Sequence, residues 1–516
     1  MTSPSLTDDS NSPNPLREGL RIRPVPDPAI VVIFGATGDL AARKLLPALQ
    51  ALAAGNFLPP AFAVLGYGRR DKDDNAFRDD VRKALEEHGQ NGDSATTEGF
   101  LSQVYYQRGN LDNAADFEAL GKRLKKIAAE RNIAPNVLFY LSTPPEHFEP
   151  VIRNLGHTGL NQPENGWARV VIEKPFGRDL DSAHELNAVV AEHFGEEQVF
   201  RIDHYLGKEN VQNILVFRYA NAIFEPIWNR RYVDNVQITV AESLGMEGRG
   251  DFFDKAGVAR DIMQNHLLQL LCLTAMEPPV ALAGDAVRDE KVKVVRSLCR
   301  IEADDVAAQT SRGQYTSGDL NGKSVPGYLQ EEEVPADSTT ETYAAARVFI
   351  DNWRWSGVPF YLRAGKRMPH KITEIAIEFR QAPMHLFEET RGEEARPNAL
   401  IMNIQPDEGM AVRFYSKVPG TQMRVRPVVM DFRYGSSFGV EPPDAYERLL
   451  LDALLGDSTL FTRADEVEEA WRFFTPILEA WEAAGKDGMH NYEAGTWGPD
   501  DAQRLTDQDD KQWRRL

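Results

Sequence analysis

Cysteine is almost missing from this 516-residue sequence, which contains only Cys272 and Cys299. Two cysteines cannot build a disulfide framework in a chain of this length, and their separation is not that of metal ligands. The sequence therefore excludes a disulfide-stapled fold and a cysteine metal centre. We expect both thiols to be small buried hydrophobic groups in a protein of a reducing compartment, the cytoplasm.

Positive charge is also scarce, and long apolar runs are missing. Lys and Arg total 58 against 78 Asp and Glu, and the resulting net charge of -20 argues against a nucleic-acid partner. No apolar run approaches the roughly 20 residues that cross a membrane. Residues 1–28 lack the apolar segment of a signal peptide and are predicted to form a mobile tail. An anionic substrate would need a local cluster of cations.

What the sequence does contain predicts two domains after that tail. Over residues 29–205, buried-strand patterns alternate with helical ones, which predicts a parallel Rossmann-like dinucleotide-binding sheet. Over residues 206–516, closely spaced strands favour antiparallel pairing in a larger α+β domain. Residues 312–341 have no clear periodicity and predict a long ordered excursion or a flexible loop. Strands are predicted at 29–34, 62–65, 137–141, 169–172, 199–202, 235–242, 344–350, 359–364, 372–380, 399–405, 410–416 and 423–432, and helices at 75–88, 113–130, 257–276, 444–455 and 465–484.

A glycine turn, Gly35-Ala-Thr-Gly-Asp-Leu-Ala41, lies between the first predicted strand and its helix. Glycines allow a tight turn there and let backbone N–H groups approach a pyrophosphate. We predict that this turn binds a dinucleotide through Gly35, Thr37, Gly38, Asp39 and Leu40. A glycine turn without a ligand is the alternative, which the position directly after a buried strand disfavours.

Two further cofactor contacts are predicted at strand ends. Arg69 follows the second strand, where an NAD-binding fold usually has an acidic residue for the ribose. A guanidinium suits a 2′-phosphate instead and indicates NADP, unless the residue is simply solvated. Pro144 follows the strand at 137–141, on the edge where ligands bind, although it could equally start a helix.

Lys174 and the segment at residues 201–209 carry candidate reactive groups at two more strand ends. Pro175 biases Lys174 away from helical dihedrals, so its ammonium should project where substrate meets nicotinamide. Arg201-Ile-Asp-His-Tyr-Leu-Gly-Lys-Glu209 places an acid, an imidazole, a phenol and an ammonium close together. Such groups could bind a phosphate. The alternatives are a solvated lysine and a polar domain junction.

His266 lies on the buried stripe of the helix predicted at residues 257–276. Positions four apart from 258 to 270 share that stripe, so an imidazole replaces an apolar residue. It is either a satisfied core histidine or a general base. Glu242 and Asp261 could accept hydrogen bonds from sugar hydroxyls, or they are surface carboxylates.

Eight segments occur along the chain in this order: GATGDLAARKLLPAL, EKPFG, RIDHYLGKE, EGRGDFFDKAGVARDIMQNHLLQLLCL, VPGY, TETYAA, VPFYLRAGKRM and DAYERLLLDAL. Together they resemble the glucose-6-phosphate dehydrogenase family over residues 30–485. RIDHYLGKE is the most specific of them, whereas EKP also occurs in another group of sugar oxidoreductases.

The resemblance implies oxidation of glucose 6-phosphate at C1 to 6-phosphogluconolactone with NADP, the first step of the oxidative pentose phosphate pathway. His266 would take the proton of the 1-hydroxyl, and Asp203 would orient and stabilise that imidazole. The remaining substrate contacts would come from His204, Tyr205 and Lys208 at the phosphate and from Lys174, Glu242, Asp261 and Lys366 at the sugar hydroxyls. Lys174 would also touch the cofactor. Lys371, where some members have arginine, is a further substrate contact. No metal is implied.

The resemblance also implies self-association, as a homodimer or homotetramer, through the larger domain. Three other interpretations are open to the residues. A related sugar oxidoreductase with an unphosphorylated substrate would have no use for His204 and Lys208. A catalytically silent NADP sensor or assembly partner could have lost His266 or Asp203. A P-loop phosphotransferase would need Gly-Lys-Ser/Thr at the glycine turn.

Overall fold

In a computed structural model of the chain, residues 25–89, 94–390, 396–439 and 443–516 are described. The tail predicted for residues 1–28 lies almost wholly outside these ranges. Within them, helices cover two separate sheets. No described helix combines the length and the apolar character that a membrane crossing demands.

The first sheet has six parallel strands in the described part of the chain. They are β1 (Ile30–Phe34), β2 (Ala63–Gly68), β3 (Val104–Arg108), β4 (Val137–Leu141), β5 (Ala168–Glu173) and β6 (Val199–Ile202). Their order is β3-β2-β1-β4-β5-β6, so the chain reverses direction of winding between β1 and β4. This confirms the predicted Rossmann-like fold, and ligands of such sheets bind at that reversal. Only β3 was not predicted, because it is an edge strand whose last two residues leave the core.

Helices follow the strands on both faces of this sheet. They are α1 (Leu46–Ala54), α2 (Asp74–His88), α3 (Ser94–Leu101), α4 (Ala114–Arg131), α5 (Phe148–His157) and α6 (Leu180–His193), with a π-helical turn at Ala41–Leu45. Side chains cap several starts: Asp73 accepts the N–H of Ala76 at 2.8 Å, and Asp179 accepts that of Ser182 at 2.8 Å. The predicted α2 and α4 are confirmed to within one residue.

The second sheet is larger and has nine strands in the described residues. Its strands are β7 (Val233–Ala241), β8 (Thr310–Thr316), β11 (Tyr343–Val348), β12 (Phe360–Gly365), β13 (Ile372–Phe379), β14 (Ala399–Gln405), β15 (Gly409–Lys417), β16 (Val425–Arg433) and β17 (Met489–Glu493), and a separate hairpin is formed by β9 (Gly318–Leu320) and β10 (Lys323–Val325). The order is β16-β15-β14-β13-β7-β12-β11-β8-β17.

The α+β class is confirmed, but the second sheet is mixed rather than purely antiparallel. The pairs β7·β12 and β8·β17 are parallel, and the other pairs are antiparallel. Both parallel pairs join strands that are more than 100 residues apart, so short connections could not reveal them. Of the two alternatives for residues 312–341, the ordered excursion is found, and Asn321 and Gly322 turn its hairpin with positive φ.

The helices of the second domain lie beside and beneath this sheet. They are α7 (Glu209–Tyr219), α8 (Gly250–Val258), α9 (Leu268–Ala275), α10 (Gly284–Arg296), α11 (Ala303–Gln309), α12 (Tyr434–Phe438), α13 (Ala445–Leu455), α14 (Ala464–Ala484) and α15 (Gln503–Asp507), with a π-helical segment at Ala259–Leu267. Cys272 is buried in α9 as predicted, but the prediction for Cys299 is wrong. That thiol lies in the connection after α10 and is exposed.

Two helices of the C-terminal part, α13 and α14, pack against the first domain. The indole of Trp471 donates to the carbonyl of Phe176 at 2.8 Å, and the N–H of Leu180 donates to Thr475 Oγ1 at 3.0 Å. Arg169 donates to the carbonyl of Ala453 at 3.0 Å. The contacts of Phe176 and Leu180 lie beyond the carboxyl end of β5 and bring that edge of the sheet against the second domain, whereas Arg169 makes its contact at the amino end of the same strand.

Candidate active site

The glycine turn forms the start of the cofactor site at the carboxyl end of β1. Gly35 has a φ of +77°, and a Cβ there would overlap the backbone carbonyl of Ser142. The N–H of Gly38 closes the turn on the carbonyl of Gly35 at 2.9 Å. Thr37, Asp39 and Leu40 complete the turn and the first helical residues, where N–H groups have no partner within the helix. The structure therefore brings the five predicted residues together in a form that suits a pyrophosphate.

Two hydroxyl groups beside this turn fit the same ligand. Ser142 Oγ and Thr143 Oγ1 are buried and have no hydrogen-bond partner among the described residues. They follow β4 directly and precede Pro144, the residue before a 3₁₀ turn. Buried hydroxyls usually find partners, so this pair indicates a polar ligand at the reversal of the sheet. Sequence reasoning missed both, although their position after β4 was the signal that selected Pro144.

Arg69 lies exposed immediately after β2, as predicted. The nearest acidic residue along the chain, Asp71, is paired with Arg108 at 3.3 Å. The carbonyl of Arg70 accepts the phenol of Tyr106 at 2.9 Å, which fixes this loop against β3. The strand end therefore offers a guanidinium and no carboxylate of its own, which fits the 2′-phosphate of NADP.

A histidine and a carboxylate meet where the two domains join. His266 Nδ1 lies 2.5 Å from Asp203 Oδ1, and both side chains are buried. The same carboxylate oxygen accepts the N–H of Tyr205 at 3.0 Å. Because Nδ1–H is donated to Asp203, the lone pair of Nε2 is left for a substrate proton. Asp203, His204 and His266 lie close enough together to be metal ligands. However, the hydrogen bond between Asp203 and His266 already occupies one potential ligand atom of each of these two residues.

The charges of this pair are set by burial and by each other. Burial lowers the pKa of His266, Lys174 lowers it further, and Asp203 opposes both. Burial by itself raises the pKa of Asp203, but His266 and His204 outweigh it and hold that pKa well below its usual range. The resting pair is therefore a carboxylate and a neutral imidazole, which is the form a general base needs.

The helix that carries His266 is irregular, with a break at Gly257 and a π-helical segment after it. Gly257 interrupts it with a φ of +70°, and the carboxylate of Glu341 occupies the space that a side chain there would fill. Glu341 also accepts the N–H of Ala259 at 3.0 Å. The nine residues Ala259–Leu267, which include His266, are π-helical, a form that is frequent at functional sites. The sequence predicted this helix without its kink.

Four of the predicted hydroxyl-binding residues form a chain of alternating charge. Lys174 Nζ lies 2.9 Å from Asp261 Oδ1, and Lys366 Nζ lies 3.9 Å from Asp261 Oδ2. Lys366 Nζ also contacts Glu242 Oε2 at 2.5 Å. Burial raises the pKa of Asp261, but the two lysines reverse this and keep it charged. Donors and acceptors thus alternate along one wall, as recognition of several hydroxyl groups requires.

Lys208 is the centre of a second group of polar side chains. Its Nζ donates to Gln405 Oε1 at 2.6 Å and lies 4.2 Å from the centre of the Tyr205 ring. The phenol of Tyr205 contacts Thr373 Oγ1 at 3.1 Å and accepts from Gln405 Nε2 at 3.2 Å. Burial lowers the pKa of Lys208 to about 8, and Lys371 lowers it too. Sequence reasoning missed Gln405 and Thr373, which come from strands far along the chain.

The His204 ring lies between these two groups. Its centre is 4.6 Å from that of His266, 5.2 Å from that of Tyr205 and 6.3 Å from that of Tyr446. Burial lowers the pKa of His204, and His266 lowers it further. Lys371 is exposed just before β13 and completes the cationic end of the site. An anion could be bound jointly by Lys208, Lys371 and His204.

Oxidation of an alcohol needs this combination of a base and a dinucleotide fold. The hydroxyl proton must pass to the protein while hydride passes to a nicotinamide. A buried neutral imidazole and a parallel sheet with a glycine turn supply the two parts. The chain is a nicotinamide-dependent dehydrogenase.

Comparison with known proteins identifies the family. The family model described as glucose-6-phosphate dehydrogenase, NAD binding domain, matches residues 32–213, and that described as the C-terminal domain matches residues 215–514. The chain belongs to the glucose-6-phosphate dehydrogenase family.

Individual relatives agree with this assignment over nearly the full length. Glucose-6-phosphate 1-dehydrogenase 2 of Mycobacterium tuberculosis is 49% identical over 511 residues, which cover 97% of this chain and 98% of the relative. The Bacillus subtilis glucose-6-phosphate 1-dehydrogenase is 42% identical over 485 residues, which cover 94% of this chain and 98% of that relative. A solved glucose-6-phosphate dehydrogenase in complex with its substrate glucose 6-phosphate has a TM-score of 0.87 and 37% identity, and covers 95% of this chain and 99% of that one.

Proposed function

We propose that the chain oxidises D-glucose 6-phosphate at C1 to 6-phospho-D-glucono-1,5-lactone with NADP, the first step of the oxidative pentose phosphate pathway. The observation that carries this proposal is the Asp203–His266 pair, with its 2.5 Å hydrogen bond, beside the cationic group around Lys208. A base close to an anion site fits a phosphorylated sugar. The names of the close relatives agree.

In this reaction the proton leaves the oxygen of the 1-hydroxyl, and the hydride leaves C1, the carbon that carries that hydroxyl. The nicotinamide, when bound, accepts the hydride from C1. His266 Nε2 takes the proton of the 1-hydroxyl, so the C1–O bond becomes a carbonyl as the C1–H bond breaks. Asp203 then faces an imidazolium and stabilises its charge at 2.5 Å. The two groups therefore act as base and stabiliser.

The rest of the site holds C1 in place. Lys208, His204 and Lys371 bind the phosphate, and the wall from Lys174 to Glu242 binds the sugar hydroxyls. Anchoring the substrate at both ends fixes C1 against His266 and lowers the entropic cost of the reaction. The phenol of Tyr205 already contacts Thr373, so it supports the phosphate site through this network as well as by its own oxygen.

The direct test is the absorbance of reduced nicotinamide with purified protein. Glucose 6-phosphate and glucose are each supplied with NADP and with NAD. We expect fast reduction of NADP with the phosphorylated sugar and little with glucose. Reduction with glucose alone would favour the sugar oxidoreductase that takes an unphosphorylated substrate. No reduction under any condition would favour a catalytically silent sensor or assembly partner.

Changing Asp203 to Asn should lower kcat by roughly 10²–10⁴-fold, because the amide neither stabilises the imidazolium nor fixes its tautomer. The negative charge of Asp203 raises the pKa of His266. Its removal should therefore shift the acid limb of kcat/KM to lower pH. The matched control is Asp501→Asn, which breaks a carboxylate–histidine pair to His490 at 3.4 Å elsewhere. If Asp203→Asn had the kcat of wild type and the same acid limb in its pH profile of kcat/KM, Asp203 would not be the residue that stabilises His266.

We propose that the cofactor domain ends near residue 205 and that residues 206–516 bind substrate and self-associate. The last strand of the first sheet ends at Ile202, and α7 packs on β14 and α9 of the second domain. We also propose a cytoplasmic location, which the two free cysteines support.

Self-association as a homodimer or homotetramer is supported by the surface around β16. In the described residues, this strand pairs only with β15, so its other edge is open. Val429 and Met430 are 59% and 63% exposed on opposite faces, and Phe438 nearby is 66% exposed. An open apolar edge is a hazard for a monomer, and pairing with another copy removes it.

Changing Val429 to Asp should shift the protein toward monomer, since a carboxylate would be buried in such an interface. Sedimentation velocity at several protein concentrations measures this. The control is Leu282→Asp, which places the same charge on an apolar residue that is 67% exposed elsewhere. A wild-type protein that sediments as a monomer would refute self-association, and equal behaviour of the two variants would refute this surface.

A further inference from the structure

Arg367, the residue after Lys366, has an uncommon backbone conformation. Its φ is +52°, in the left-handed region that residues other than glycine rarely adopt. Such a conformation persists only where the surrounding structure holds it. Here the N–H of Arg367 donates to the carbonyl of Leu244 at 3.2 Å, and its own carbonyl accepts the N–H of Gly495 at 2.7 Å. The turn that follows Lys366 is therefore fixed by its neighbours.

The guanidinium of Arg367 forms a buried ion pair that the mechanism above does not use. Its Nη2 donates to Glu331 Oε1 at 2.9 Å, and each side chain is only 11% exposed. The same carboxylate oxygen accepts the phenol of Tyr315, on β8, at 2.8 Å. Glu331 follows a 3₁₀ turn in the ordered excursion between β8 and β11. The pair thus ties the turn after Lys366 to that excursion.

The same ion pair contacts the loop that follows Glu242. Gly245 in this loop lies so close that a Cβ there would overlap Glu331 Oε1 and the guanidinium of Arg367. The pair therefore packs against both backbone segments that carry the Lys366–Glu242 contact. That contact, at 2.5 Å, is one end of the wall assigned to the sugar hydroxyls.

We propose that Arg367 and Glu331 are positioning residues which hold the Lys366–Glu242 contact in the geometry that recognises a sugar hydroxyl group. This proposal rests on the proposed function. A hydroxyl group is bound well only within a narrow range of distances and angles, so a small displacement of the ammonium or the carboxylate weakens recognition. Lys208 is held by Gln405 instead. Recognition of the hydroxyl groups should therefore change while phosphate binding does not.

Replacing Arg367 with Met removes the charge and keeps an apolar side chain of similar length. KM for glucose 6-phosphate should rise by roughly 5- to 30-fold with a smaller change in kcat, as loss of a buried charged hydrogen bond produces. The inhibition constant of inorganic phosphate, which competes for the phosphate site alone, should stay within about twofold of wild type. Steady-state kinetics measures both.

The matched control breaks a similar ion pair in the same sheet. Arg413 Nη2 lies 3.1 Å from Glu378 Oε1, and these side chains are 10% and 17% exposed. Glu378 pairs with Asn235 near the start of β7, whereas Glu242 follows the end of that strand. Arg413→Met should therefore leave KM for glucose 6-phosphate within about twofold of wild type.

Deoxy sugars test the role of the ion pair in recognition. 2-Deoxyglucose 6-phosphate and 3-deoxyglucose 6-phosphate each lack one hydroxyl group, and a site built to bind that group discriminates against the analogue. We expect wild type to prefer glucose 6-phosphate, by the ratio of kcat/KM values, over at least one of them. That preference should fall by roughly 5- to 30-fold in Arg367→Met, because the missing hydroxyl no longer has a well-placed partner.

Three further variants separate position from charge. Gly245→Ala pushes the ion pair apart while both charges remain, and Glu331→Gln keeps the volume of the side chain. Both should show the same loss of preference. Arg367→Lys restores a cation and should recover part of it. Thermal unfolding shows which variants keep the fold, and Gly245→Ala decides the matter if Arg367→Met unfolds.

Distinct outcomes separate this proposal from the proposed function. An equal loss of kcat/KM for all three sugar phosphates would give the ion pair a merely structural role and overturn the inference. A wild type that does not distinguish the analogues, or an equal effect of Arg413→Met, would overturn it too. Wild-type protein that does not oxidise glucose 6-phosphate would instead contradict the proposed function. A hydroxyl-selective loss with unchanged phosphate inhibition supports positioning by Arg367 and Glu331.

Discussion

Replacing His266 with Asn should lower kcat for glucose 6-phosphate by roughly 10²–10⁴-fold while substrate still binds. The amide keeps a polar group of similar size next to Asp203 but cannot take the hydroxyl proton. Steady-state rates give kcat, and equilibrium titration of the variant gives the substrate Kd. The expected result is a large loss of turnover with a Kd close to that of wild type.

A histidine outside the site provides the control for this substitution. His490 on β17 is also paired with a carboxylate, Asp501, at 3.4 Å. His490→Asn should therefore leave kcat within about twofold of wild type, because it is remote from the dyad. Unchanged turnover in His266→Asn would remove that residue from the role of base.

Replacing Lys208 with Ala should raise KM for glucose 6-phosphate by roughly 10²-fold, because a buried cation is removed from an anion site. Since burial lowers the pKa of Lys208 to about 8, its positive charge is present below that pH and lost above it. In wild type, KM should therefore rise as the pH increases through about 8. In Lys208→Ala, that rise should disappear.

Two comparisons make the Lys208 result specific. Lys126→Ala removes a surface cation that is 63% exposed, and KM should not change. Turnover of glucose should be the same in Lys208→Ala and wild type, since glucose has no phosphate. If the variant still preferred the phosphorylated sugar as strongly as wild type does, Lys208 would not be a phosphate ligand.

The sequence predicts the first domain well because its strands are buried on both faces. The apolar runs of β1, β4 and β6 therefore appear directly in the sequence, and reactive residues that follow such strands meet at one edge. This rule predicts that Lys174 and Asp203 lie at the same edge of the sheet. His266 comes from the second domain, and only the family resemblance joined it to Asp203.

The second domain was harder to predict because polar residues are buried in its strands. β8 contains Arg312 and Gln314, and both are buried. Arg312 donates to the carbonyl of Gly485 at 2.7 Å, and Gln314 donates to that of Ser338 at 3.0 Å. These long-range partners compensate for burial, but nothing near β8 in the sequence reveals them. Gln405 and Tyr446 were missed in the site for the same reason.

The alternating wall of Lys174, Asp261, Lys366 and Glu242 has a consequence for how a substrate enters. Two ammonium groups there face two carboxylates, so that wall is neutral as a whole. Among the described residues, Lys208 and Lys371 form no salt bridge, so the positive charge of the site is concentrated at that end. A sugar phosphate is itself charged at one end only, so the field of the cavity turns it before any hydroxyl is bound. Electrostatic orientation thus directs the phosphate to Lys208 and Lys371 and leaves the uncharged C1 end facing His266.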